Sequence, residues 1–169
     1  LDAGDVPCIL YNVPGRTGCS ISEKNVARLA KHPNAFGIKE ASGNIGYATK
    51  IARYLSDDFC MFSGNDDIVV PMMALGSRGV ISVWANVQPK EVHDMCHAWL
   101  AGDHAAALET QLAGIELVDS LFCEVNPIPV KYALELMGFG KAVYRRPLCE
   151  PSDAAKATIA AAMKNAGII

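Results

Sequence analysis

Four short apolar runs divide the first hundred residues, and each gives way to small or polar residues before a stretch of helical spacing. Val6-Pro7-Cys8-Ile9-Leu10-Tyr11, Phe36-Gly37-Ile38-Lys39, Phe59-Cys60-Met61-Phe62-Ser63 and Gly79-Val80-Ile81-Ser82-Val83 have the length of buried strands. Helices fill the intervals. Ser20 and Glu23 have capping-box spacing, and the helix they open carries Val26, Leu29 and Ala30 on one face and stops before His32-Pro33. The spacing predicts further helices from Ile45 to Leu55, from Ile68 to Leu75 with Gly76 closing it, and from Pro89 to about Leu100. Strands alternating with helices predict parallel β/α units.

Such units build either a doubly wound sheet or a (β/α)8 barrel. The loop after the first run, Asn12-Val13-Pro14-Gly15-Arg16, lacks the glycine fingerprint of nucleotide-binding sheets and reads as a turn built on Pro-Gly chemistry. Tyr11, Lys39, Ser63 and the loop after Val83 all fall at the C-terminal ends of strands, the rim where barrels keep their chemistry. A barrel needs eight strands and about 250 residues. The expectation is therefore an α/β chain: residues 1–101 as the C-terminal half of a (β/α)8 TIM barrel, and residues 102–169 as a helical C-terminal extension. The extension reads as a long helix from Asp103 to Phe122, another from Pro127 to Met137, and a last one capped by Ser152-Asp153 and ending near Ala166-Gly167. Half a barrel leaves unpaired strand edges, and the chain opens on Leu1 rather than Met. Both features lead to the expectation that a partner half precedes Leu1.

Lys39 is the residue with the most chemistry to offer. Burial disfavours an ammonium ion, so a lysine at a strand end against an apolar wall can become a neutral amine. A neutral amine attacks ketones to form a Schiff base. Tyr11 and Arg16 stand upstream of it.

Composition removes several alternatives. With 15 Lys+Arg against 18 Asp+Glu, there is no basic excess to neutralise nucleic-acid phosphates. No apolar run approaches the ~18 residues that span a membrane, and no secretory leader pattern is visible. Cys8, Cys19, Cys60, Cys96, Cys123 and Cys149 form no Cys-x-x-Cys pair, and they read as buried free thiols in a reducing compartment. His93 and His97 stand four apart on a helix whose stripe of Val92, Met95, Cys96, Trp99 and Leu100 faces the core. No third metal ligand accompanies them. Gly76-Ser77-Arg78-Gly79 lacks the Lys-Ser/Thr ending of a phosphate loop.

Five ordered segments resemble the dihydrodipicolinate synthase family, within the broader group of pyruvate-dependent class I aldolases and lyases. They are Tyr11-Asn12-Val13-Pro14-Gly15-Arg16-Thr17-Gly18, Gly37-Ile38-Lys39-Glu40-Ala41-Ser42-Gly43-Asn44, Ser63-Gly64-Asn65-Asp66, Gly79-Val80-Ile81-Ser82-Val83 and Asn126-Pro127-Ile128-Pro129-Val130-Lys131. Arg16 and the last segment favour the synthases over N-acetylneuraminate lyases. The resemblance implies that Lys39 forms an iminium with pyruvate and that Tyr11 carries protons. It implies that Arg16 holds the carboxylate of aspartate semialdehyde, and that backbone near Gly64 and Ile81 lines the pyruvate pocket. It implies no organic cofactor and no metal, and a cytoplasmic homotetramer; the charge balance and the lack of a spanning run add the expectation of neither nucleic-acid nor membrane partners. A threonine pair, a second tyrosine from a neighbouring subunit and a lysine-inhibition site belong to the family's first barrel half. The rival readings are a sibling aldolase acting on a 2-keto-3-deoxy sugar acid and a non-catalytic barrel subunit.

Overall fold

Three strands pair side by side and all run the same way: β1 (Cys8–Asn12), β2 (Ala35–Glu40) and β3 (Cys60–Ser63), in the order β1-β2-β3. The register sets Tyr11 beside Lys39 and Asn12 beside Glu40, then Lys39 beside Phe62 and Glu40 beside Ser63. Two glycines permit close approach in and around this sheet. A Cβ on Gly37 would lie 2.4 Å from the Cys60 carbonyl oxygen, and one on Gly64 would lie 2.5 Å from the Ala41 Cβ.

The computed structural model describes residues 1–169, which divide into two compact units, Leu1–Ser82 and Val83–Ile169. In the first unit, helices α1 (Pro14–Thr17), α2 (Glu23–Leu29), α3 (Ile45–Ala52) and α4 (Val69–Ala74) alternate with the strands. A 3-10 turn, Asp66–Ile68, leads into α4. The core lies on one side of the sheet, where Ile38 and Met61 meet Val26, Ala48, Ile51, Phe59 and Met72. Each such large side chain contributes about 1.5–3 kcal/mol by leaving water. The other face carries Ile9, Tyr11 and Lys39, with Ile9 and Tyr11 exposed.

Several boundaries differ from the sequence reading. The fourth run, Gly79–Val83, makes one parallel bridge, Ser63 to Val80, in place of a strand. Ser63 donates to the Gly79 carbonyl at 2.9 Å and accepts from Ile81 N–H at 2.9 Å. The Ser77 hydroxyl donates to the Gly79 carbonyl at 2.8 Å, with the Met61 carbonyl also in reach at 3.1 Å, at the entry to this segment. The loop after Tyr11 winds into α1, because Pro14 suits a first helical turn and Gly18 closes it in the left-handed region at φ 71°. The cap of α2 is Ser22 and not Ser20: Ser22 Oγ accepts from Asn25 N–H at 3.3 Å. Asn44 caps α3 in the same way, accepting from Tyr47 N–H at 2.9 Å.

The second unit is helical: a 3-10 turn (Trp84–Asn86), α5 (Pro89–Leu100), α6 (His104–Ala113), α7 (Ile115–Leu121), α8 (Ile128–Leu136) and α9 (Asp153–Asn165). Packing joins α5 to α6, and α9 to both α7 and α8. Asp103 caps α6 and Ser152 caps α9 through their side-chain oxygens. The long helix expected over 103–122 is divided at Gly114. The buried Trp84 indole fills the space beside that residue, so a Cβ there would sit 2.3 Å from Trp84 Cη2. On α5, Val92 and Met95 are buried as the stripe predicts, but Leu100 is 61% exposed.

The cysteines also differ from expectation. All six are free, yet only Cys60 is buried; Cys96 is half-buried and the other four are exposed.

Gly114→Ala forces its new methyl group into the Trp84 ring. Overpacking of this kind costs about 1–3 kcal/mol. Urea unfolding should show a lower midpoint with an unchanged slope, and an unshifted midpoint would show that the ring yields without cost.

Candidate active site

Side chains alternate across a strand, so Tyr11 and Lys39 share the open face of the sheet while Asn12 and Glu40 point into the buried one. Lys39 is half-buried and Tyr11 is 47% exposed. The Lys39 Nζ lies over the Tyr11 ring, 4.3 Å from its centroid, a cation–π contact. The lysine approaches the ring face, which holds the amine within reach of the strand-end loops.

Gly64 borders the lysine directly. A Cβ at this position would come within 3.1 Å of Lys39 Cε. Its N–H donates to the Glu40 carbonyl at 2.7 Å, so this N–H is committed to the backbone. Ile81 is 41% exposed, and its N–H is likewise taken, by the Ser63 carbonyl. The missing side chain at Gly64 lets its backbone pack against Ala41 and Lys39, and Ile81 offers an apolar surface. Arg16 is exposed, in the last turn of α1 and five residues beyond Tyr11.

Beneath this face lies a polar network to which the sequence reading assigned no role. Asn12 and Glu40 are 1% and 2% exposed. Asn12 Nδ2 donates to Glu40 Oε2 at 2.6 Å, and Asn12 Oδ1 accepts from Ile21 N–H at 2.9 Å. Glu40 Oε1 accepts from Ser42 N–H at 2.7 Å. Tyr47 donates its hydroxyl proton to the Ile21 carbonyl at 2.6 Å. Both residues follow a candidate site residue by one position, and a polar residue on the helix-facing side of a strand end is the signal that could have found them.

His93 and His97 stack their rings at 4.0 Å between centroids, and His93 Nδ1 lies 3.1 Å from Asp94 Oδ1. No group of three or more His, Cys, Asp or Glu residues gathers as metal ligands.

A lysine and a tyrosine paired across neighbouring strand ends, with an arginine on the adjoining turn, define a candidate active site on a parallel β/α scaffold. Residues 1–166 match the dihydrodipicolinate synthetase family, and the chain belongs to that family. It is 45% identical over 168 residues to a 4-hydroxy-tetrahydrodipicolinate synthase of Alkaliphilus oremlandii, covering 99% of this chain and 58% of that protein. The synthase of Geobacter sulfurreducens is 46% identical with the same coverage. Among solved structures, dihydrodipicolinate synthase from Thermotoga maritima superposes with a TM-score of 0.96 at 35% identity, over 99% of this chain and 58% of that one. The chloride-inhibited synthase of Acinetobacter baumannii, complexed with pyruvate, gives a TM-score of 0.95 at 39% identity, again over 99% and 58%. The chain thus spans little more than half the length of the relatives it matches. No helix is long and apolar enough to cross a membrane.

Tyr47 supplies a pH signature for this region. Burial first, then the charges of Glu40 and Glu23, push its hydroxyl from the ordinary 10.0 up to about 12. Above pH 10 the unfolded chain gives up this proton while the folded chain keeps it. The resulting stabilisation is complete below pH 10 and is lost as pH rises through about 12. Phenolate absorbance should show a step near pH 12 that Tyr47→Phe removes. A step unchanged in that variant would assign it elsewhere.

Proposed function

We propose that residues 1–169 are the second half of a (β/α)8 barrel. On this reading residues 1–101 supply its last four strand–helix units and residues 102–169 a helical extension. The whole protein condenses pyruvate with aspartate semialdehyde to give 4-hydroxy-tetrahydrodipicolinate, the committed step toward diaminopimelate and lysine, and works as a cytoplasmic homotetramer. The observation that carries this reading is the pairing of Lys39 with Tyr11 at the strand ends, Nζ 4.3 Å from the ring centroid, in a chain of this family.

The chemistry runs through the lysine. The Lys39 amine adds to the keto carbon of pyruvate, and the carbinolamine loses water to leave an iminium. Its positive nitrogen acidifies the methyl group, which yields a proton to give an enamine. The enamine carbon attacks the aldehyde carbon of the second substrate, whose oxygen takes a proton. The substrate's own amine then adds to the iminium carbon, closing the ring and expelling Lys39. Tyr11 neighbours these atoms from the adjacent strand and serves as the proton carrier. Arg16 receives the aldehyde's carboxylate, for which a planar guanidinium gives two parallel hydrogen bonds. The missing side chain at Gly64 lets that backbone lie close against Lys39 Cε and Ala41, and the amine itself supplies the electron sink.

Borohydride reduction in the presence of pyruvate should fix a pyruvate adduct on Lys39 of the full-length protein, read by peptide mass spectrometry. Lys39→Ala should lose both adduct and turnover while keeping its thermal transition. Turnover near the parent level in that variant would refute the mechanism. A protein that traps pyruvate but fails to consume aspartate semialdehyde would be the sugar-acid aldolase, and a folded protein that traps nothing would be the non-catalytic subunit.

Arg16→Ala should raise the KM for the aldehyde at least about tenfold, as loss of a charged hydrogen-bonding partner does, while pyruvate trapping survives. Loss of trapping would contradict the assignment.

A further inference from the structure

The buried pair Asn12 and Glu40 joins the strand end that bears Tyr11 to the one that bears Lys39. The pair also reaches across the loop between them. Asn12 Oδ1 accepts from Ile21 N–H, which closes the segment 13–21 on itself, and Tyr47 holds the same residue through its carbonyl. Arg16 lies inside that closed segment, on α1. We propose that Asn12 and Glu40 are a positioning pair that fixes the segment Val13–Ile21, and with it Arg16, relative to Lys39, and so sets the affinity for a carboxylate-bearing aldehyde. This inference rests on the proposed function for its substrate but on the hydrogen bonds alone for its geometry.

The bonding pattern admits one arrangement of donors and acceptors. Ile21 N–H requires an acceptor, so the Asn12 oxygen faces Ile21 and its amide nitrogen must face Glu40. Ser42 N–H requires an acceptor as well, so both Glu40 oxygens accept. Two consequences follow. Glu40→Gln turns one acceptor into a donor, which opposes either Asn12 Nδ2 or Ser42 N–H. Asn12→Asp turns a donor into an acceptor that faces the Glu40 carboxylate. Each single change leaves a buried polar group opposed or unpaired, the situation that costs most. The double change N12D/E40Q restores every bond with roles exchanged. The acid at position 12 accepts from Ile21 N–H and from the new amide nitrogen, and the amide oxygen at position 40 accepts from Ser42 N–H. Net charge is unchanged.

The test compares the full-length protein, N12D, E40Q and N12D/E40Q. Three quantities are read: KM for each substrate, pyruvate trapping on Lys39, and hydrogen exchange of the Ile21 amide. The singles should raise the aldehyde KM about tenfold, leave the pyruvate KM and trapping near the parent values, and speed exchange at Ile21. The double variant should recover all three. A general packing role predicts instead that both KM values and trapping worsen together, and that outcome overturns the proposal. Unchanged aldehyde KM in both singles overturns it too. If a single variant fails to fold, the double decides: a parental aldehyde KM supports the exchange of roles, and a raised KM or an unfolded protein refutes it. Should the parent protein itself trap no pyruvate, the proposed function has failed. Exchange at Ile21 then still tests the pair: faster in the singles and slow in the double supports it, and any other pattern refutes it.

Discussion

The parallel pairing of β1 with β2 is the constraint on which the first unit depends. It fixes two residue pairs at one stroke, Tyr11 with Lys39 and Asn12 with Glu40. Because the pleat alternates, the first pair stands on the open face and the second is sealed beneath it. A slip of one residue would exchange these faces, burying the lysine and exposing the carboxylate. The apolar set underneath opposes such a slip, since Ile38 and Met61 are fully buried and would have to leave the core with it.

Burying Asn12 and Glu40 is costly unless every polar atom finds a partner. Here the partners are themselves structural. Ile21 N–H belongs to the loop returning toward α2, and Ser42 N–H to the turn before α3. The network therefore converts a burial cost into a connection between strand ends and loops. Absence of side chains serves the same end. Gly37 lets β3 come close, and Gly64 lets the turn after β3 pack against Ala41 and Lys39 Cε. A strand-end amine with a tyrosine ring against it is the juxtaposition that underlies the proposed Schiff-base chemistry.

The second unit follows a different rule. Helices α5, α6 and α9 begin at a proline or a side-chain cap, at Pro89, Asp103 and Ser152, which are local features. The one division inside an expected helix falls at Gly114, where the Trp84 ring packs against the backbone. Helical propensity over 103–122 is uninterrupted by any proline, and a single glycine does not ordinarily end a helix.

The sequence by itself determined the alternation of strands and helices, the parallel arrangement and the positions of Lys39, Tyr11, Gly64 and Arg16 relative to strand ends. These are set by short-range periodicity and by ordered motifs, which survive without knowledge of neighbours. It did not determine that Gly79–Val83 would pair through one bridge, since pairing depends on the partner strand and not on the run's own composition. Nor did it determine that Leu100 would be exposed, because apolar character predicts burial only where another element covers it. The Asn12–Glu40 network was invisible for a related reason. Both residues were in view within their motifs, yet the bond that joins them spans 28 positions, and only the sheet register brings those two groups within hydrogen-bond distance.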